Sequence, residues 1–287
     1  MKLRKIVVMA LVVAMTTLVG CGNGKKEVTE DTNITVISRE DGSGTRSAFV
    51  ELLGIVDKDN KDITVNTAEI TSSTSVMITT VKDNITAIGY ISLGALSDDV
   101  KAVSVDGVEA TAENVKNGSY KVSRPFNVAY KEDKLSDVAK DFLSFVMSAE
   151  GQAIVTDEGY ISIDTTEKYT ASGLKGKVVL AGSTSVAPVM EVLAEKYMEL
   201  NKNVVVEIQQ SGSSAGMTSA IEGACDIGMA SRVVKPSELE KGLTALTIAT
   251  DGIAVIVNMN NHLVNNLTTE QIRGIYLGDI TKWSLAQ

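Results

Sequence analysis

The chain has 287 residues, 44% of them hydrophobic, with 27 basic and 36 acidic side chains and a net charge of −9. That is enough apolar material for one large domain or two lobes, and the charge is spread along the sequence in a way that argues against disorder. The acidic balance argues against nucleic acid and anionic membrane surfaces as partners, and a single histidine, His262, excludes a histidine-rich metal site.

In chain order, Lys2, Arg4 and Lys5 precede an almost wholly apolar run over 6–19. The run is shorter than the roughly 20 residues of a membrane span and reads as an export signal. Leu18-Val19-Gly20-Cys21 closes it as a bacterial lipobox does, which makes Cys21 the expected lipidation site. Without those three basic residues the remainder stands at −12, so an anion would have to be bound by a local pocket against the global field. Cys225 is then the only other thiol, which excludes an intramolecular disulfide, and its neighbours mark it as a small buried hydrophobe. Residues 22–33, GNGKKEVTEDTN, are polar and aperiodic and read as a flexible tether.

Strands and helices alternate from there on. ITVIS (34–38), ITAIGYIS (85–92), VKAVSVDG (100–107) and RPFNVAYK (124–131) read as strands. TRSAFVELLG (45–54) and STSVMITTVKDN (73–84) read as helices, and residues 135–159 carry apolar side chains at 135, 138, 139, 142, 143 and 146, which is helical spacing. In the second half KVVLAG (177–182), VVVEIQQ (204–210), DIGMAS (226–231) and DGIAVIVN (251–258) are strands. SVAPVMEVLAEKYMEL (185–200) and the capped LTTEQIRGIYLG (267–278) are helices. The alternation predicts an α/β architecture with mostly parallel sheets.

Three strand-to-helix turns share one composition: REDGSGTR (39–46), AGSTSVAP (181–188) and QSGSSAGM (210–217). Glycine lets backbone amides approach a ligand closely. A helix N-terminus leaves its first amides unpaired and carries partial positive charge, and Ser and Thr add hydroxyl donors. None of the three has the lysine of a P-loop. A hydroxyl at any one of these places is explained by capping its own helix; three such turns, one flanked by Arg39, point to an anion pocket. Hydrogen bonds to a charged group contribute ~1.5–3 kcal/mol each, and micromolar binding needs about 8 kcal/mol, so one arginine with several hydroxyls and amides suffices.

An enzymatic alternative rests on Gly212-Ser213-Ser214-Ala215-Gly216, which fits the G-x-S-x-G nucleophile elbow, followed by Asp251 and His262 in hydrolase order. Against it, His262 lies in a polar loop, NMNNHLVNN, and the other two turns would have no role.

The segments GSTSVAPVMEVLAEKY, QQSGSSAGMTSAIEGACDIGMASR, DGIAVIVN, LTTEQIRGIYLGDITKW, ITVISREDGSGTRSAF, AIGYISLG and SAEGQAIVTDEGYI resemble the phosphate-binding lipoproteins of bacterial phosphate ABC importers, over about 34–284. The resemblance implies a two-lobed, type II periplasmic-binding-protein-like α/β fold with the ligand in the interlobe cleft. It implies no enzyme activity and no metal or organic cofactor, with inorganic phosphate and the importer's permease subunits as partners. A monomer is expected, held by its lipid on the outer face of the cell membrane. In that family the GSTS half precedes the DGSGTR half; here the order is reversed, as in a circular permutation joined through DTTEKYTASGLKGK (164–177). On this reading PFNVAYK and DGIAVIVN are the crossovers, 34–125 plus 257–287 form the first lobe, and 126–256 form the second.

Carried over position by position, the resemblance assigns Arg39, Ser43, Gly44, Thr45, Thr184, Ser185 and Ser213 to phosphate, with Asp41 orienting Arg39. Where many members place a ligand-binding aspartate after the DIG strand, this chain has Ser231-Arg232. That carboxylate would accept the proton of hydrogen phosphate and repel sulfate. Asp251 is a substitute acceptor on this reading, or Ser231 and Arg232 bind the anion directly. Sulfate or molybdate as ligand is the alternative that this substitution leaves open; a surface interaction or phosphate-sensing protein that keeps the fold without feeding a transporter is a separate one.

Overall fold

The computed structural model describes residues 28–286. The expected signal, Cys21 and the first part of the tether lie outside the described residues. The elements, in chain order, are β1 (Thr35–Arg39), α1 (Gly44–Leu52), β2 (Glu69–Thr71), α2 (Thr74–Asp83), β3 (Ala87–Ser92), β4 (Val100–Val105), α3 (Ala112–Lys116) and β5 (Ser123–Tyr130). Then come α4 (Asp137–Val146), α5 (Ala149–Asp157), β6 (Ile161–Ser162), β7 (Gly176–Gly182), α6 (Ala187–Leu200), β8 (Val204–Gln210), α7 (Ser213–Glu222) and β9 (Ile227–Ala230). The chain closes with α8 (Pro236–Leu239), β10 (Thr244–Asn258), β11 (Asn266–Leu267) and α9 (Thr269–Leu277).

Local chemistry sets many of the boundaries. Ser43, Ser73, Ser136, Ser148 and Thr268 each accept a backbone N–H from the first turn of the helix they precede. The run 135–159, helical by spacing, is broken into α4 and α5 because Ser148 restarts it: its hydroxyl donates to the Phe145 carbonyl at 2.7 Å and accepts from the Gly151 amide at 3.1 Å.

The strands order as β2-β1-β3-β10-β5-β9-β7-β8. β1 runs parallel to β2 and β3, and β7 parallel to β8 and β9. The sheets are nevertheless mixed, because β10 is antiparallel to β3, β4, β5 and β6, and β5 is antiparallel to β9. DGIAVIVN is only the second part of this strand. Thr244–Gly252 pair with Tyr130–Ser123 of β5, whereas Ile253–Val257 pair with Ser92–Ile88 of β3.

Two apolar cores result. The first gathers β1, α1, α2, β3 and α9 with Ile253–Val257 and Trp283; in it Phe49 stacks on Tyr90 at 3.9 Å and meets Tyr276 edge-on at 4.9 Å. The second gathers β5, α4, β7 and α6, with a smaller group including Met217 and the buried Cys225 beside it. Residues 253–256, expected on sequence in the second lobe, therefore pack in the first core. Part of the expected tether is also tied down: Asn33 bridges Lys282, the Ile34 amide donates to the Thr281 carbonyl at 2.9 Å, and the Ser284 amide to Glu30 at 2.8 Å. Residues 30–33 are thus an edge of the first core, because their backbone groups find partners in the last segment of the chain.

Among the described residues, the backbone runs from the first core to the second near Ser123 and returns near Gly252. A chain ending at Asn258 would lose α9 and Trp283, so hydrogen exchange should show lost protection over β1 and β3 and retained protection over β7 and α6. Equal loss in both would show one cooperative unit instead of two.

Candidate functional site

Four helices point their N-termini at the seam between the cores: α1 and α2 from the first, α6 and α7 from the second. Sequence reasoning named three of the four turns. The fourth, Ser72-Ser73-Thr74-Ser75, carries the same hydroxyl-rich composition but lacks the glycine that marks the other three. α7 begins after Gly212 at φ 87°, where glycine is favoured, and this lets the chain leave β8 and turn at once into helix.

The side chains in the seam interlock across the two cores. Thr45 Oγ1 lies 2.9 Å from Ser185 Oγ and 3.3 Å from Ser231 Oγ. Thr74 Oγ1 lies 3.0 Å from Ser185 Oγ and 3.4 Å from Thr184 Oγ1. Ser183 Oγ donates to Ser231 Oγ at 2.9 Å, and the Ser231 amide donates to Ser213 Oγ at 3.2 Å. All of these side chains are buried. A methyl group at Gly44 would overlap Ser213 Oγ and come within 2.7 Å of Ser231 Oγ, so glycine is what lets the two turns approach. Opposite it, the Ser214 amide donates to the Gly42 carbonyl at 3.0 Å.

Arg39, 1% exposed, enters this cluster from the end of β1. Its Nη2 donates to Thr184 Oγ1 at 3.0 Å, and its Nε and Nη2 each donate to Glu40 at 2.8 Å. The carboxylate that fixes the fork is therefore Glu40. Asp41, expected in that role, is fully exposed and pairs at 3.0 Å with Arg46, whose Nη1 also donates to the Arg39 carbonyl at 2.7 Å. Strand alternation would set Asp41 on the Arg39 side, but β1 ends at Arg39, and the turn that follows, with Gly42 at φ 86°, leaves Glu40 against the guanidinium and Asp41 outside.

The other expected residues divide. Thr45, Thr184, Ser185, Ser213 and Ser231 come together. The Ser43 hydroxyl instead accepts from the Arg46 amide as the cap of α1. Arg232 is turned aside: its Nη1 and Nη2 hold Glu238 at 3.0 and 2.8 Å, and it reaches only Ser214 Oγ, at 3.4 Å. Asp251 does not face the hydroxyls. Its oxygens take Ser92 Oγ at 2.9 Å, the Gly94 amide at 3.4 Å and Arg124 Nη2 at 3.1 Å. Arg124 was not singled out on sequence, although it stands first in RPFNVAYK; its Nη2 also donates to Thr45 Oγ1 at 3.1 Å. Thr74 and Glu40 were missed as well.

The hydrolase arrangement does not form. His262 is exposed in its loop, and Asp251 is committed to Arg124 and Ser92. Among the described residues, no group of three or more His, Cys, Asp or Glu side chains is placed to hold a metal ion.

A model of the PBP superfamily domain matches residues 25–150 and 167–287. The phosphate-binding protein PstS 2 of Streptococcus agalactiae serotype V is 51% identical over 271 residues, 93% of this chain and 92% of its own. The chain belongs to the phosphate-binding protein family. A crystal structure of a phosphate ABC transporter phosphate-binding protein from Streptococcus pneumoniae TIGR4 shares 44% identity and a TM-score of 0.71, covering 89% of this chain and 100% of its own. The phosphate-binding protein PstS of Bacillus subtilis is 36% identical but over 143 residues only, 49% of this chain and 45% of its own. The family's α/β fold is thus the fold of this chain.

Burial pushes the Asp251 carboxyl up to about 6 from its ordinary 3.8, against the opposing pull of Arg124, Ser92 and the Gly94 amide. A carboxyl raised in the folded state contributes stability that is full below the unfolded value and lost as pH rises through about 6. Denaturant unfolding of the wild type and of Asp251→Asn should therefore diverge with pH, the wild type being relatively more stable at pH 4 than at pH 7. A constant difference would show that Asp251 titrates normally.

Proposed function

We propose that this protein captures inorganic phosphate between two lobes outside the cytoplasm and delivers it to the permease of a phosphate ABC importer. The observation that carries the reading is the convergence of four helix N-termini and the Arg39 fork on one buried cluster of hydroxyls. Each component favours an oxygen-rich anion, and the cluster draws on both cores, as a ligand that holds them together requires. The lobes are taken to be the first and second cores, joined at Ser123 and Gly252. We assign Arg39, Gly44, Thr45, Thr184, Ser185, Ser213 and Ser231 to the anion, and Thr74 with them. Ser43 serves through its cap of α1, and the relatives' names as phosphate-binding proteins support phosphate as the ligand.

The remaining features belong to the same proposal. Cys21 is the lipidation site and anchors a monomer at the outer face of the membrane; no helix among the described residues is long and apolar enough to cross one. The chain order is a circular permutation of the commoner one. The whole-length match to the streptococcal relative beside the half-length match to the Bacillus protein supports this, as does the break in the family match over 151–166.

Selectivity follows from the acceptors in the seam: Glu40, Asp251 and Glu238 are each held by an arginine, and Ser231 stands where the family's aspartate would be. A hydroxyl can accept the proton of hydrogen phosphate, but it repels sulfate far less than a carboxylate does. Discrimination against sulfate should thus be weaker than an aspartate would give.

Calorimetry of the chain lacking residues 1–21 should show one phosphate bound per chain. Arg39→Lys keeps the charge and loses the planar fork, so affinity should fall about ten- to hundredfold. Binding of sulfate without phosphate, or unchanged affinity in Arg39→Lys, would reject the assignment. In the same assay Gly44→Ala should weaken phosphate by holding the two turns apart; full affinity would show that their close approach is not needed.

A further inference from the structure

Arg124 has no part in the site carried over from the family resemblance, yet it is the second guanidinium in the seam. It is 3% exposed, and its Nε and Nη1 have no hydrogen-bond partner among the described residues. Such buried unpaired donors are rare, because each forfeits its hydration. The side chain is also fixed. Arg124 and Asp251 are register partners across β5 and β10, Asp251 holds Nη2 at 3.1 Å, and the Phe126 ring lies 5.3 Å from Cζ. The same Nη2 donates to Thr45 Oγ1, which sets the guanidinium against the hydroxyl cluster. Burial disfavours its charge, Asp251 supports it, and the nearby Arg39 opposes it again. An anion placed between two such guanidiniums offsets both penalties.

We propose that Arg124 is a second anion-binding arginine of the cleft, donating through Nε and Nη1 to the oxyanion that Arg39 also holds, with Asp251 as its positioning residue. This rests on the phosphate reading above. It also gives Asp251 a role other than proton acceptor: the carboxylate neutralises and aims Arg124 and does not touch the ligand.

The test is a titration of inorganic phosphate into the wild type, Arg124→Lys, Arg124→Gln, Asp251→Asn and the Arg124→Lys/Asp251→Asn double variant, each checked for folding by circular dichroism. Arg124→Lys and Arg124→Gln should lose about ten- to hundredfold in phosphate affinity. Asp251→Asn should weaken binding in the wild-type background and have little further effect once Arg124 is lysine, which a purely structural role would not produce. Where a variant does not fold, the wild type still decides: the Arg124 Nε–H proton resonance should move downfield as phosphate saturates. Wild-type phosphate binding with unchanged affinity in the folded Arg124 variants, or with an unmoved Arg124 resonance, overturns this inference and leaves the phosphate reading standing. A wild type that takes up no phosphate overturns both.

Discussion

Both apolar cores depend on one strand. β10 is 15 residues long, and its backbone is completed by β5 and β6 along one part and by β3 and β4 along the other. Buried backbone groups must be paired, so neither core can shift this strand without unpairing the other. A slip of one residue would also turn every side chain of the strand to the opposite face. The junction of the two pairings falls at Asp251–Gly252, where β5 begins with Ser123 and Arg124 opposite. The polar seam lies at this junction because the sheet partners change there, and the four helix N-termini follow from the strands that lead into them.

The electrostatics of the seam are those of a neutral cage. Arg39, Arg124 and Arg232 are all buried, and each holds its own carboxylate, Glu40, Asp251 and Glu238. A buried guanidinium without such a partner would meet a desolvation penalty of several kcal/mol. In a chain of net charge −9 this arrangement puts the attraction for an anion into dipoles and oriented N–H groups, which act over a few ångströms and are little affected by the repulsive field outside.

Much of this was legible in the sequence, for identifiable reasons. β-branched runs such as ITVIS, and the cap and spacing of LTTEQIRGIYLG, are local signals, and the elements formed close to where those signals stand. The likeness of the Gly/Ser/Thr turns, three of which meet in the seam, was legible because their chemistry is also local. What could not be read was partnership. Glu40 and Asp41 are adjacent acids, and only the direction of the turn decides which one meets Arg39. Arg124 looks like the polar start of a strand until Asp251, more than a hundred residues away, is set opposite it. Arg232 stands at the expected ligand position, yet Glu238 on α8 draws it aside. The first half of β10, TALTIAT, was passed over because its pairing with β5 comes from the tertiary fold and not from its own pattern.

The clasp between residues 30–34 and 281–284 has a mechanical consequence. A force arriving along the chain from before Val28 meets the backbone bonds at Glu30, Thr32 and Ile34 and the buried Trp283 beside them, and is taken up by the first core. The second core is joined to the first by the backbone near Ser123 and Gly252 and by the hydroxyls of the seam, away from this clasp. Tension at the beginning of the chain is therefore borne first by the core that contains β1 and α9.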